Sequence, residues 1–193
     1  MDVRIIGIGN VLMGDDGFGP YVVKTLEALY ELPADVSVID AGTPGLDLSP
    51  YLMNADVIIF VDAVTATGDA GSVQTYGRED LMRPGVAPRL GPHDPALAHT
   101  LTALDLAGKG PKAVLLVGAI SEQARRGPGL TEAMRLAVPD AVERVVNMLA
   151  VLGVPPIARP APLDPDLWWE RRSGSNRAAG FPPQRAPSSS ESP

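Results

Sequence analysis

Val3-Arg4-Ile5-Ile6-Gly7-Ile8-Gly9-Asn10-Val11-Leu12-Met13-Gly14-Asp15-Asp16-Gly17-Phe18-Gly19-Pro20 decides the fold. Val3 to Ile8 is almost continuously apolar, which suits a strand buried on both faces rather than one alternating between core and water. After the Gly-rich loop, Pro20 suits a first helical position. Phe18, Tyr21, Val22, Leu26, Leu29 and Tyr30 then recur at helical spacing until Pro33. Strand, Gly-rich loop and crossover helix together predict a parallel α/β unit.

Outward from it, Val36 to Asp40 reads as a second strand. Ala41-Gly42-Thr43-Pro44-Gly45 is a turn-rich loop before a short helix near Leu46 to Leu52, and Val57 to Val61 reads as a third strand. Gly71 to Tyr76 follows too soon for an intervening helix, so antiparallel pairing with its predecessor is expected. Asp94-Pro95 resembles a helix start, with Leu97, Leu101 and Leu104 on one face. Ala113 to Gly118 is the last strand. Met134, Val138, Val142, Val145, Val146 and Leu149 form an amphipathic stripe, in which Pro139 should kink the helix or start a second one.

These alternating elements predict a three-layer α/β/α sandwich with a mixed, mostly parallel sheet of about five strands. Residues 1–153 form the expected domain. Residues 154–193 carry nine of the 20 prolines, end in a serine-rich run and lose periodicity, so a disordered tail is expected. Trp168-Trp169 is the exception, since adjacent indoles favour docking onto the domain or a partner.

Composition removes several function classes. A formal charge of −7 leaves no basic footprint for nucleic acid. With no cysteine there is no disulfide, cysteine nucleophile or thiolate-held metal. Neither a signal peptide nor an apolar run of bilayer length is visible, so a cytoplasmic protein without a membrane partner is expected.

In a sheet of this kind ligands bind outside the carboxyl ends of the parallel strands. Asp16 follows the first strand, Asp40 ends the second, Asp62 ends the third, and His93, one of two histidines, precedes a helix. Any one such aspartate is ordinarily a cap or turn former. Two carboxylates and an imidazole sent into one crevice make a candidate metal site of Asp16, Asp62 and His93. A dinucleotide is disfavoured. The third glycine of Gly-x-Gly-x-x-Gly is Leu12, Asp40 lies 31 residues after Gly9 rather than about 20, and Asp15-Asp16 would repel a pyrophosphate. Gly-x-Ser-x-Gly, Gly-Lys-Ser/Thr and His-Glu-x-x-His motifs are all missing.

From residue 3 to about 150 the chain resembles the hydrogenase maturation endopeptidases, which process the large subunit of nickel–iron hydrogenases. The likeness is carried by Gly9-Asn10, Gly14-Asp15-Asp16-Gly17, Asp40-Ala41-Gly42-Thr43-Pro44-Gly45, Val61-Asp62-Ala63 and Pro92-His93. It implies a phosphorylase/hydrolase-like sandwich, with Asp16, Asp62 and His93 as both the metal-holding and the catalytic residues and Gly42 and Thr43 helping to hold the substrate. It further implies cleavage of one peptide bond in the precursor of the large subunit, after the His or Arg that follows the last Cys-x-x-Cys pair. The nickel is expected to be supplied by that precursor. Spacing does not assign the general base between Asp16 and Asp62. A rival reading is a chaperone that inspects the metal site without cutting; a remoter one is a metal-dependent aminopeptidase.

Overall fold

The computed structural model describes residues 1–43, 48–83, 94–121 and 127–175, without the side chains of 94–96 and 172–175. Its main sheet has five strands in the order β3-β1-β4-β6-β5. They are β1 (Val3–Ile8), β3 (Val36–Gly42), β4 (Val57–Val64), β5 (Val73–Gly77) and β6 (Ala113–Ile120). β1, β3, β4 and β6 are parallel. The continuous apolar reading of β1 and β4 follows from burial on both faces. Val57, Ile59 and Val61 of β4 enter one core with α1 (Phe18–Leu29) and α5 (Glu132–Val151). Ile58 and Phe60 enter a second core with Leu52 of α2 (Ser49–Leu52) and Leu97, Leu101 and Leu104 of α4 (Asp94–Leu106). The mixed α/β/α sandwich expected from the sequence is therefore the observed one.

The chain leaves β1 for β3 on one side and then returns to β4 on the other. The connections after β1 and β4 thus diverge at a switch point, the place where such sheets open a crevice.

Several local expectations are corrected. β5 is antiparallel, but its partner is β6 and not its predecessor β4. β4 already has β1 and β6 on its two sides, so the returning chain finds its open edge one strand further out. Helix α1 begins at Phe18, placing Pro20 third, still within the first turn whose N–H groups lack intrahelical acceptors. Tyr30 leaves the helix and, with Glu31, forms β2. Of the two outcomes expected at Pro139, a second helix is not the one taken: α5 runs through it as one element. Pro139 lies on the exposed face, where the carbonyl it leaves without a donor can be hydrated.

The largest departure lies in residues 155–171, within the tail expected to be disordered; residues 176–193 of that tail lie outside the described residues. Residues 155–171 instead cross the outside of α1 as a strap. β7 (Ile157–Ala158) pairs antiparallel with β2 (Tyr30–Glu31). Arg159 N donates to Leu29 O at 2.8 Å, and Leu163 N to Ala28 O at 3.0 Å. The strap ends in α6 (Trp168–Ser175), whose Trp169 is 2% exposed and packs edge-on against Tyr21, ring centroids 5.2 Å apart. Tyr21 Oη donates to Glu170 Oε1, which Arg135 of α5 also reaches. Burial, reinforced by Glu170, pushes the Tyr21 phenol up to about 12, so it stays a donor well above neutral pH. Proline richness misleads here because the segment is held by backbone bonds and one large aromatic rather than by a periodic apolar face. Removing Trp169 is therefore expected to cost about 3–5 kcal/mol, as for other buried aromatics. Thermal melts of Trp169→Ala and of a chain truncated after Val154 should both shift down; unchanged melting would contradict the packed strap.

Candidate active site

β1 stops at Ile8 because Gly9 adopts φ 133°, a conformation that L side chains rarely take. A β carbon on Gly9 would lie 1.7 Å from the Asp16 carbonyl oxygen and 3.7 Å from Asp62 Oδ1. The first loop thus folds back over this glycine, which the Asp16 main chain and the Asp62 carboxylate both border. Asn10 organises the return: its side-chain oxygen accepts Leu12 N at 3.0 Å, and its own N–H donates to Asp16 Oδ2 at 2.9 Å. Asp15–Gly17 then form a 3-10 turn that leads directly into α1.

Asp62 lies inside β4, two residues before its end. It pairs with Gly118 of β6, whereas the register with β1 stops one residue earlier, at Gly7 and Val61. The departure of β1 therefore opens the sheet beside Asp62. The side chain is 2% exposed, and its Oδ1 accepts Ala63 N at 2.7 Å. Glycines keep the crevice close to the sheet. Gly7 and Gly19 bring β1 and the first turn of α1 into backbone contact, so that a β carbon on Gly19 would meet Ile8 O at 2.3 Å and Val61 O at 2.4 Å. Leu12, at the third-glycine position, is 57% exposed on the loop, and Gly19 supplies the close helix–strand packing.

The third wall is the end of β3. Gly42 O accepts Gly9 N at 2.8 Å, so the Gly42-Thr43 segment abuts the same glycine. Asp40 is exposed, and its Oδ1 accepts Gly42 N at 3.1 Å. Its role is that of a turn former. His93 lies outside the described residues; the residue after it, Asp94, begins α4. Among the described residues no group of three or more His, Asp or Glu side chains is arranged to hold a metal ion. The structure thus brings Asp16, Asp62 and the Gly42-Thr43 segment together around Gly9.

Comparison with known proteins gives this geometry a family. The sequence model described as hydrogenase maturation protease matches residues 20–148. The chain belongs to the hydrogenase maturation protease family. It is 33% identical over 161 residues to the Hydrogenase 2 maturation protease of Escherichia coli K12, covering 83% of this chain and 98% of that one. It is 32% identical over 164 residues to the hydrogenase expression/formation protein HoxM of Cupriavidus necator, covering 84% and 81%. The structure of the hydrogenase maturating endopeptidase HybD from E. coli superposes with a TM-score of 0.76 at 32% identity, covering 82% of this chain and 98% of the other. The hydrogenase maturation protease match contains Asp62 and His93 and begins four residues after Asp16. The strap and α6 lie beyond it.

Sequence reasoning missed Asp15, read only as a charge that would repel phosphate. Asp15 is 1% exposed and tied to Ser121 and Thr131. Its partners stand more than a hundred residues away, and no spacing pattern links them.

Proposed function

We propose that this chain is an endopeptidase that removes the C-terminal extension of a nickel–iron hydrogenase large-subunit precursor after nickel insertion. Support comes from one observation above all: the Asp16 main chain and the Asp62 carboxylate both border Gly9, at the switch point of the sheet in a chain of the maturation protease family. Asp16, Asp62 and His93 would hold the nickel, which arrives as part of the substrate. Carboxylate and imidazole donors suit such an ion while leaving room for further ligands.

Nickel held there supplies Lewis acidity to the scissile carbonyl. The chain's own work is to orient that carbonyl and to present two carboxyl side chains beside it. Water adds its oxygen to the carbonyl carbon, the carbon–nitrogen bond breaks, and the leaving amine takes the proton. Gly42 and Thr43, next to Gly9, are suited to lie along the substrate peptide. A chain without cysteine fits the reducing cytoplasm, where such a precursor would be met. Among the described residues no helix is long and apolar enough to cross a membrane.

The test uses precursor prepared with and without nickel, followed by mass spectrometry. Only the nickel-loaded form should be shortened, and His93→Ala should abolish the shortening. Equal cleavage of both precursors would remove nickel from the reading. Normal cleavage by His93→Ala would remove His93. An intact precursor with the native chain would leave a binding protein rather than a protease.

A further inference from the structure

Asp15 has no part in the reaction outlined above, yet it is among the most completely enclosed charged side chains described. Its Oδ1 accepts Thr131 N at 2.7 Å, and its Oδ2 accepts Thr131 Oγ1 at 3.1 Å and Ser121 Oγ at 3.3 Å. Ser121 directly follows β6. Thr131 is the N-cap of α5, where the partial positive charge of the helix end favours a carboxylate. One side chain thus joins the first loop to the end of β6 and to the start of α5.

The loop is clasped nearby through its backbone as well. Gly14 N donates to Gly127 O at 2.8 Å, and Gly127 N to Leu12 O at 3.0 Å. The following turn is closed by Asp16 N to Met13 O at 3.3 Å and Gly17 N to Gly14 O at 3.0 Å, and the Asp15 side chain ties that closed turn to β6 and α5. Consecutive residues on a 3-10 turn project about 120° apart. When Asp15 is locked onto Thr131 and Ser121, the adjacent Asp16 is turned the other way, where the Asn10 N–H meets its Oδ2.

We propose that Asp15 is a positioning residue for the hydrolysis: its bonds to Thr131 and Ser121 set the rotation of the 3-10 turn and thereby aim the Asp16 carboxylate into the crevice. The proposal rests on the protease reading. It differs from a purely structural role in predicting that losing the tie disturbs Asp16 while the sheet stays intact. An amide at position 15 removes the negative charge facing the start of α5 and reverses the bonds to the Thr131 and Ser121 hydroxyls, which would have to accept from its nitrogen where they now donate to the carboxylate.

The experiment compares Asp15→Asn, Thr131→Ala and Thr131→Ser, each in the full chain at a temperature where circular dichroism shows it fully folded. Displacing a reacting group by about 1 Å costs on the order of a hundredfold in rate. Asp15→Asn is accordingly expected to lower kcat for nickel-loaded precursor about 10- to 100-fold, with KM changed less than about twofold. Thr131→Ala should lower it less, and Thr131→Ser, which keeps both bonds, should restore it. Independently of activity, the Asn10 amide of Asp15→Asn should exchange hydrogen about tenfold faster, while amides in β1 and β4 keep their protection. If Asp15→Asn does not fold, the two Thr131 variants decide by the same criteria. Wild-type kcat together with native Asn10 exchange in Asp15→Asn would overturn the proposal. So would a change in KM alone, a uniform rise in exchange across the sheet, or identical behaviour of Thr131→Ala and Thr131→Ser. If the native chain cleaves nothing, the protease reading fails, and the Asn10 exchange still reports whether Asp15 sets the turn.

Discussion

Asp62→Asn is expected to fold normally and to cleave nickel-loaded precursor slower by on the order of 100- to 1000-fold, the usual loss when one electrostatic group is removed from a reaction centre. Asparagine has nearly the same shape as aspartate, and its carbonyl oxygen can keep the bond from Ala63 N. The neighbours in β4 and β6 therefore need not move. What disappears is the negative charge, and with it the donor proposed for the nickel of the substrate. Mass spectrometry at timed intervals, with a thermal melt beside it, separates the two effects. Cleavage at the native rate by a folded Asp62→Asn chain would remove Asp62 from the site. The same substitution at Asp40 is a useful contrast, since that exposed side chain only closes a turn onto Gly42.

Gly19→Ala is expected to lower the stability of the fold strongly. Its new β carbon would sit 2.3 Å from Ile8 O, 2.4 Å from Val61 O and 2.6 Å from Ile8 N. All three are main-chain atoms of the sheet, so no flexible side chain can swing aside. α1 would have to lift from β1 and β4, breaking the contacts of Phe18, Val22 and Val23 with the core. Overpacking costs about 1–3 kcal/mol, and this site belongs at or beyond the upper end. For a chain of this size that corresponds to a melting temperature lower by ~10 °C. Gly42→Ala is the comparison: φ is 56°, but the space around it is open, so only the backbone preference is lost, about 1 kcal/mol. Equal melting of the two variants would show that close helix–strand contact is not what Gly19 provides.

The sheet was legible wherever burial on both faces produced an uninterrupted apolar run, as in Val3–Ile8 and Ala113–Ile120. α4 was legible from Leu97, Leu101 and Leu104, all buried on one face. β2 and β7, each two residues long, have no periodicity to read; only their pairing makes them strands. α6 was hidden for a related reason, because a single indole holds it where a longer helix would show a stripe. That the Asp16 main chain and the Asp62 carboxylate border the same glycine follows from topology, since both lie at the carboxyl ends of the adjacent strands β1 and β4. The tie made by Asp15 did not, because a buried carboxylate and its hydroxyl donors look in sequence like any other polar residues.

The strap across α1 has a consequence for how the chain assembles. β2 and β7 are separated by well over half the chain, and Tyr21 meets Trp169 across a still longer loop. Contacts so distant in sequence add loop-closure entropy to the barrier and slow folding. During synthesis, the outer surface of α1 emerges early and stays bare until the last part of the strap leaves the ribosome. The protein therefore completes itself late, with Trp169 entering its pocket beside Tyr21 among the final steps.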